Sequence, residues 1–489
     1  MVSRLSPLPA GALQPAHQET IFCQTLVVGN TIAAYTATLA ILQAGGQVCW
    51  AQTEPLDLSA DMQLDQGTQS AQSRFSWRLG RRAGPWETAT VMSHSQQAFW
   101  ANWQPLAAAK PAALAAAGTA TDPAAPSKET QLKRAIAPYL ANHQLMLIPQ
   151  GVPVRLLYAE NRGQRRVYQV VFRDRTSPRR FQIHTKLVLD GTRQGQLRRG
   201  LAPATAPPVP MEWVLRHEPL AAGARRSARG TFFADAIALI LGGSELAHRP
   251  LSVPLRALLP QRTEGLLCLT APGCEPALRS LWRQPRVQWA VGEAAGHVAA
   301  WAAQAGGMAA LTSQAHWQWH LQQRLVQQGM PLFAFDDVSL TDPDFEAIQM
   351  VAIADVVRTM CDRDLSFRPE TPVTRAVVAA AIARLPAAAA LPPMSETMPF
   401  TDVSPDHWAA AAIHTAIATQ DMRATTPARF APSQVVSKRQ LWQILQPFYP
   451  SAPATAPFPA DDTPARRRHL SRSLYPILRS RLGKSAGRC

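Results

Sequence analysis

The period of the apolar positions changes several times along the chain, and each change marks an element. Leu26, Val27 and Val28 form a continuous apolar run, as expected for a strand buried on both faces. Gly29-Asn30-Thr31-Ile32-Ala33-Ala34 reads as a tight turn, Tyr35–Ala44 as a helix closed by Gly45-Gly46, and Val48-Cys49-Trp50 as the next strand. Strand, glycine turn, helix and strand within about thirty residues is the βαβ unit that binds dinucleotides. In that unit, backbone N–H groups and the dipole at a helix N-terminus receive a pyrophosphate. Further on, alternation over Val152–Tyr158 and Val167–Phe172 around Asn161-Arg162-Gly163 predicts a hairpin with its arginines outward. Leu187-Val188-Leu189-Asp190-Gly191-Thr192 and Gly265-Leu266-Leu267-Cys268-Leu269 predict two more buried strands. A helix is expected from about Val287 to Ala303, with Gly292-Glu293-Ala294-Ala295-Gly296 at the head of its apolar run.

In order and motif, residues 20–305 resemble the FAD-dependent oxidoreductase flavoproteins with the two-dinucleotide-binding-domain fold. The glycine turn opens the chain in that family, a "VIDAT"-type strand lies beside the adenosine half, and a GQAAG- or GEAAG-type helix returns to close the same site. The resemblance implies an α/β, Rossmann-like FAD-binding domain over residues 20–310 with a reduced β-rich cap insertion at 210–262. It implies FAD as cofactor and flavin-mediated redox of an unidentified small substrate. Carried over by motif, Gly29, Asn30, Thr31 and Ala34 line the diphosphate turn and Gln52 faces the adenosine ribose. Gln66 and Gly67 remain from the family's flavin-side glycine stretch. Asp190, Gly191 and Thr192 stand at the adenosine half. Gly292, Glu293 and Gly296 begin the closing helix beside the ribityl and flavin portion, with Arg279 or Arg286 on phosphate or substrate. No residue presents itself as a catalytic base.

The departures fall on cofactor contacts. Thr31 replaces the second glycine, which lets the pyrophosphate approach, and Ala34 replaces the third, which lets helix and strand pack. Gln52 stands where the family has an acid, with Glu54 two residues on, and Asp61 adds charge near the diphosphate. The alternative reading is therefore a non-catalytic scaffold of the same fold, binding envelope polymer, membrane or a protein partner.

A self-similar pattern occupies the C-terminal third. Phe335-Asp336-Asp337-Val338 recurs as Phe400-Thr401-Asp402-Val403, Phe367-Arg368-Pro369 as Phe430-Ala431-Pro432, and Thr374-Arg375 as Ser437-Lys438. Each copy reads as helix, loop, helix. Asp342-Pro343 and Ser404-Pro405 are placed to cap the first helices, Phe345 and Trp408 to anchor them, and Thr374 and Ser437 to cap the second. The pattern resembles the S-layer homology (SLH) repeat, a family that holds cell-wall polymer. It predicts an all-α SLH-like domain with repeats at 332–386 and 396–447, after a connecting helix at 311–331. Residues 448–489 are expected to be a Pro-rich linker and basic tail.

Composition refines this picture. Lys and Arg total 49 against 33 Asp and Glu, for a net charge of +16, concentrated in residues 162–199 and in Arg466–Arg488. No known nucleic-acid module accompanies the basic runs, so nucleic acid is not expected as a partner. In the tail, Leu470, Leu474, Ile477, Leu478 and Leu482 recur at helical spacing among the arginines, which allows a surface helix on an anionic membrane. The plainer expectation there is an unstructured solubilising tail. No apolar span reaches membrane length and no signal peptide is evident, so the expected location is cytoplasmic, with cell-envelope association as the alternative. The six cysteines are scattered without a CxxC pair, which fits a reducing compartment. His316 and His320 share one helical face but have no third ligand nearby, so no metal is expected. Arg216, His217, Glu218 and His248 in the cap read as surface residues, and no hydrolase or P-loop signature is present.

Overall fold

The structure, a computed structural model, describes residues 2–4, 19–54, 93–97, 128–193, 195–199, 212–213, 235–241, 250–270, 281–304, 307–309, 315–357, 366–385, 400–449 and 455–483. Its centre is a mixed sheet. Strands β1 (Val2–Arg4), β2 (Glu19–Val28), β3 (Val48–Ala51), β4 (Leu145–Ile148), β5 (Gly151–Asn161), β6 (Gln164–Asp174) and β7 (Arg180–Asp190) pair in the order β1-β5-β6-β7-β2-β3-β4. Two further strands, β11 (Thr263–Glu264) and β12 (Leu266–Cys268), add to β6 and β7. The inner order β12-β7-β2-β3-β4 is parallel throughout, as the continuous apolar runs predict. Long β7 pairs with β2 along nearly its whole length and, on its other edge, makes an antiparallel meander with β6 and β5. The hairpin expected at Asn161-Arg162-Gly163 is present, with positive φ at Arg162 and Gly163 as a tight two-residue turn requires.

Helix α1 (Ile32–Gln43) is buried on nearly every side, because the sheet covers one flank and helix α5 (Pro285–Gln304) covers another. Its C-terminus closes as the glycine pair predicts: Gly45 takes φ +79° and the Gly46 N–H donates to the Ile41 carbonyl. Helices α2 (Lys128–Ala141), α3 (Gln196–Arg199) and α4 (Leu255–Leu258) fill connections. A small antiparallel sheet of β8 (Glu212–Trp213), β9 (Ala236–Leu241) and β10 (Pro250–Pro254) lies within the expected cap segment, with β9 packed on α5. Helix α5 runs from Pro285 to Gln304, two residues longer at its start than expected.

The chain continues through α6 (Ala315–Gln327) into a helical domain of α7 (Phe345–Ile353), α8 (Arg375–Ala383), α9 (Ala410–Ala418), α10 (Lys438–Leu445) and α11 (Arg467–Gly483). The two expected copies are equivalent in bonding. The Asp337 carboxylate accepts the Phe367 and Arg368 N–H groups at 2.7 and 2.5 Å, and the Asp402 carboxylate accepts those of Phe430 and Ala431 at 3.0 and 2.8 Å. Ser437 caps α10 in a full capping box with Gln440, and Thr374 sits at the start of α8.

Several expectations are corrected here. Helix α9 begins at Ala410, so Ser404 organises only a preceding turn, accepting the Asp406 N–H at 3.3 Å. Asp342 does the same for Asp344. Phe345 is buried and anchors α7, whereas Trp408 precedes α9 and is 63% exposed. Most important, the residues read as linker and tail supply a third position in the same arrangement. The Val373 N–H donates to Ala465 O, Ala465 N–H to Val436 O and Val436 N–H to Val373 O, at 2.8–2.9 Å, so three chain segments close into a ring. Around it Arg375, Lys438 and Arg467 are equivalent. Each donates its backbone N–H to the neighbouring loop, at Gln434, Thr463 and Thr371 respectively.

Among the described residues the third unit shows no first helix of its own. Tyr449 packs on Trp442 of α10 and donates its hydroxyl to Ser473 O at 2.9 Å. Leu470, Leu474, Ile477 and Leu478 of α11 are fully buried, with α11 against α7 and α6. These four residues of the tail's apolar stripe are therefore core.

Candidate functional site

The carboxyl ends of β2, β7 and β12 lie side by side, and the turn after β2 is built where they meet. Gly29 has φ +115°, and a Cβ there would stand 2.3 Å from Gly191 O, so only glycine fits. Its N–H donates to Ala51 O at 2.9 Å, and its carbonyl accepts the Trp50 indole N–H at 2.7 Å. The Gly191 N–H donates to Val28 O at 2.8 Å, which binds the end of β7 to the same turn.

Thr31 is the N-cap of α1 rather than an obstruction at its mouth. Its hydroxyl accepts the Ala34 N–H at 3.3 Å and donates to Gly191 O at 2.7 Å. Ala34 is accommodated because its neighbour is Gly191: a Cβ on Gly191 would lie 2.6 Å from the Ala34 methyl. The N–H groups of Ile32 and Ala33, in the first turn of α1, have no intrahelical acceptor by position. They point along the helix axis toward the ends of the strands.

The late segment meets the early one directly. After β12, Leu269 N–H donates to Asp190 O at 3.0 Å and the Thr270 hydroxyl bonds Thr192 O. Helix α5 then lies along α1. A Cβ on Gly292 would fall 2.2 Å from Thr36 Oγ1 and 2.3 Å from Ala33 O, and one on Gly296 would fall 2.4 Å from Ala37 O. Because Gly292 faces Ala33 and Gly296 faces Ala37, the helices run in the same direction, and the head of α5 extends beyond that of α1. Gly292 and Gly296 are thus mid-helix packing residues, not the start of the closing helix. At the head of α5, Trp282 Nε1 and Gln288 Oε1 are buried polar atoms with no hydrogen-bond partner among the described residues.

Other expected site residues divide clearly. The Asp190 carboxylate is fully buried and spent internally, accepting Thr192 N–H and O–H, Leu197 N–H and Arg198 N–H. It caps α3, and burial raises its pKa against the lowering effect of those bonds. Thr192 in turn accepts Gln196 N–H at 2.7 Å. Both side chains are spent on structure at this position. Gln52 is buried at the end of β3 beside the turn, while Glu54 pairs with Arg175 at 3.4 Å. Asn30 accepts the Thr53 hydroxyl at 3.2 Å. Gln66, Gly67, Asp61, Arg279, Arg216, His217, Glu218 and His248 lie outside the described residues. His316 is buried on α6, and among the described residues no three His, Cys, Asp or Glu side chains gather as a metal site.

Glu293 has a role that motif reasoning missed. It is 5% exposed, and its two carboxylate oxygens accept the Ser93 and Ser95 hydroxyls, each at 2.6 Å. Trp289 donates to Ser95 Oγ at 3.3 Å, and Gln96 to Arg286 O at 3.1 Å, so residues 93–97 are stitched to α5. Burial raises the Glu293 pKa, with the serine and tryptophan bonds opposing it. A cavity of ≈ 10 Å³ beside it, between Ser93, Gln96, Ala290 and Met330, has room for about one water. One signal was available: an acid inside an apolar helix demands buried donors from elsewhere.

No protein-family model matches the chain, and no curated protein matches it. Among solved structures it is similar to Thermovibrio ammonificans THI4 (11% identity, 57% of this chain and 89% of that one, TM-score 0.28). It is also similar to a geranylgeranyl bacteriochlorophyll reductase-like protein of Thermoplasma acidophilum (8% identity, 69% and 91% of the chains, TM-score 0.29). A third is the FrdA subunit of E. coli quinol fumarate reductase (11% identity, 69% and 87%, TM-score 0.28). Likeness at these scores assigns neither activity nor substrate to this chain.

Proposed function

We propose that the chain is a flavoprotein of the FAD-dependent oxidoreductase kind, acting on a small substrate. The observation that supports this most is the convergence at the ends of β2, β7 and β12. There the N-terminus of α1 and the Gly29–Gly191 contact stand at the carboxyl ends of parallel strands, with α5 packed along α1. That is where open α/β sheets take nucleotides. The donor set fits a dinucleotide: free first-turn N–H groups on α1 for a diphosphate, Gln52 for a ribose hydroxyl, and unpartnered Trp282 and Gln288 atoms at the head of α5. FAD, when bound, supplies two-electron redox chemistry through its isoalloxazine ring. The chain's own part is to hold the turn rigid through Trp50, Thr31 and Gly191, and to keep water out with the packed α1–α5 pair.

A second reading, a scaffold of the same fold without turnover, draws on two observations. The Thr31 hydroxyl and the Asp190 carboxylate are both spent on internal bonds, which leaves neither for a cofactor. In this reading the helical ring, as an SLH-like domain, makes the functional contact with polymer or a partner. Purified protein separates the two. A visible flavin absorbance band released on denaturation supports the first. A preparation that stays colourless after FAD is added, with an unchanged melting temperature, refutes it. Gln52→Glu, which restores a charged acceptor for the ribose, is expected to tighten FAD about tenfold by fluorescence titration. Unaltered affinity would place the ribose elsewhere.

A further inference from the structure

One face of the meander carries a row of rings across three strands. Phe22 on β2 and His184 on β7 are register partners, and His184 is in turn the partner of Gln169 on β6. The Phe22 and His184 rings stack with centroids 5.0 Å apart, and Tyr168, beside Gln169, lies 6.4 Å from His184. Phe22 is 75% exposed and Tyr168 41%. His184 and Gln169 alternate with Ile183 and Val170, which pack into the apolar cluster on the other side of the sheet. Strand β3 joins β2 only from Thr25 onward, so among the described residues no strand flanks Phe22 on its outer side. Two residues along the strands from the rings, Gln182 pairs with Val171 and Val171 with Arg155. Two further on, Arg180 pairs with Arg173. Alternation puts these three rows on one face, about 7 Å apart. Gln169 donates to Gln182, and Gln182 to Thr20 at 2.7 Å, so side-chain bonds tie the strands together beside the rings. None of these register positions holds a carboxylate, and Glu19 is the partner of Phe181 on the other side. Nearby Arg165 and Arg175 are paired with Glu160 and Glu54, whereas among the described residues Arg155, Arg173 and Arg180 form no ion pair. The buried Arg155 Nε has no hydrogen-bond partner.

We propose that this face of the meander binds single-stranded nucleic acid, with bases stacked against Phe22 and Tyr168 on either side of His184 and the phosphates over Arg155, Arg173 and Arg180. Rings on an open sheet face are stacking platforms for unpaired bases, and every base offers them a flat surface. Guanidinium groups match phosphate oxygens in pairs. Rings beside unpaired arginines, with no acid among them, suit a ligand that alternates flat apolar faces with negative charge. An acidic peptide supplies only the charge, and a duplex keeps its base faces stacked inside. The sequence shows no nucleic-acid module because the platform is assembled from β2, β6 and β7, which are far apart in the chain. It lies toward the opposite end of β2 from Gly29, so the proposal stands whether or not FAD binds at that turn.

Fluorescence anisotropy of the full-length protein with a labelled single strand of about twelve nucleotides, and with its duplex, tests this. The single strand is expected to bind at least tenfold more tightly. Phe22→Ala, an exposed change whose folding is checked by circular dichroism, should weaken the single strand about tenfold and leave the salt dependence as it was. Arg173→Gln/Arg180→Gln should weaken it too, and make the slope of log affinity against log salt shallower by about 1.4, the share of two phosphate contacts. Equal affinity for single strand and duplex would overturn the proposal, as would unaltered affinity in Phe22→Ala. Binding to phosphatidylglycerol vesicles without binding to the oligonucleotide would overturn it in favour of a membrane surface.

Discussion

Glu293 and Thr31 each look out of place in the sequence and are satisfied by partners far away in the chain. Thr31 replaces a glycine, yet its hydroxyl caps α1 and ties the turn to Gly191. Ala34 replaces another, and the glycine it displaced is in effect found at Gly191 on the facing strand. Gly191→Ala should therefore cost about 1–3 kcal/mol through overpacking, read as a shift in the urea midpoint. Glu293 gives a pH prediction. Its folded pKa is raised by burial, so the folded state holds its proton more tightly than the unfolded one. Its contribution is greatest below the ordinary glutamate range and is lost as pH rises through the raised value. Glu293→Gln, which keeps a carbonyl acceptor, should raise the melting temperature at neutral pH and leave it unchanged in acid. A parallel pH dependence in both proteins would contradict this.

Elements were legible where one physical signal dominated. The βαβ unit was readable because an unbroken apolar run, a glycine turn and a closing glycine pair each have a single common structural cause. The start of α5 was placed within two residues, but its motif glycines were read as the beginning of the helix. In fact the helix has already run two turns from Pro285, and the glycines let its backbone touch that of α1. Gly292→Val would push these helices apart, at an expected cost of about 2–3 kcal/mol on denaturant unfolding and with loss of any flavin signal. The tail was misread for a different reason. Arginines normally imply a solvated face, but Arg467 donates to Phe367 O at 2.7 Å and lies over the Phe367 ring. Arg468 reaches Asp342, Asp344 and Glu370, and Arg472 reaches Asp344. Those partners lie about a hundred residues earlier, and local pattern cannot reveal them.

Across the molecule, stability falls into two parts with opposite responses to acid. The α/β part includes Glu293, which favours low pH. The helical part depends on carboxylates whose pKa values are depressed. Desolvation acts to raise Asp402 and Glu370, but backbone N–H donors at Asp402 and the Arg466 and Arg468 guanidiniums at Glu370 outweigh it. Their stabilisation is full above the ordinary carboxylate range and is lost as pH falls through the lowered values. Calorimetry below about pH 4 should then show the helical part melting first. Arg467→Ala removes a nearly buried donor at the ring and is expected to cost that part about 2–4 kcal/mol. Arg375→Ala, at the equivalent but half-exposed position, should cost less.

The ring of three segments also fixes an order of events during synthesis. Its third link runs through Ala465, so Val373 and Val436 have no complete set of partners until the final helix has left the ribosome. A nascent chain halted before that point carries two units with an open seam, and α7 lacks the surface it packs against. Chains truncated before Ala465 should thus be cleared by proteases, even when every residue of both earlier repeats has been made.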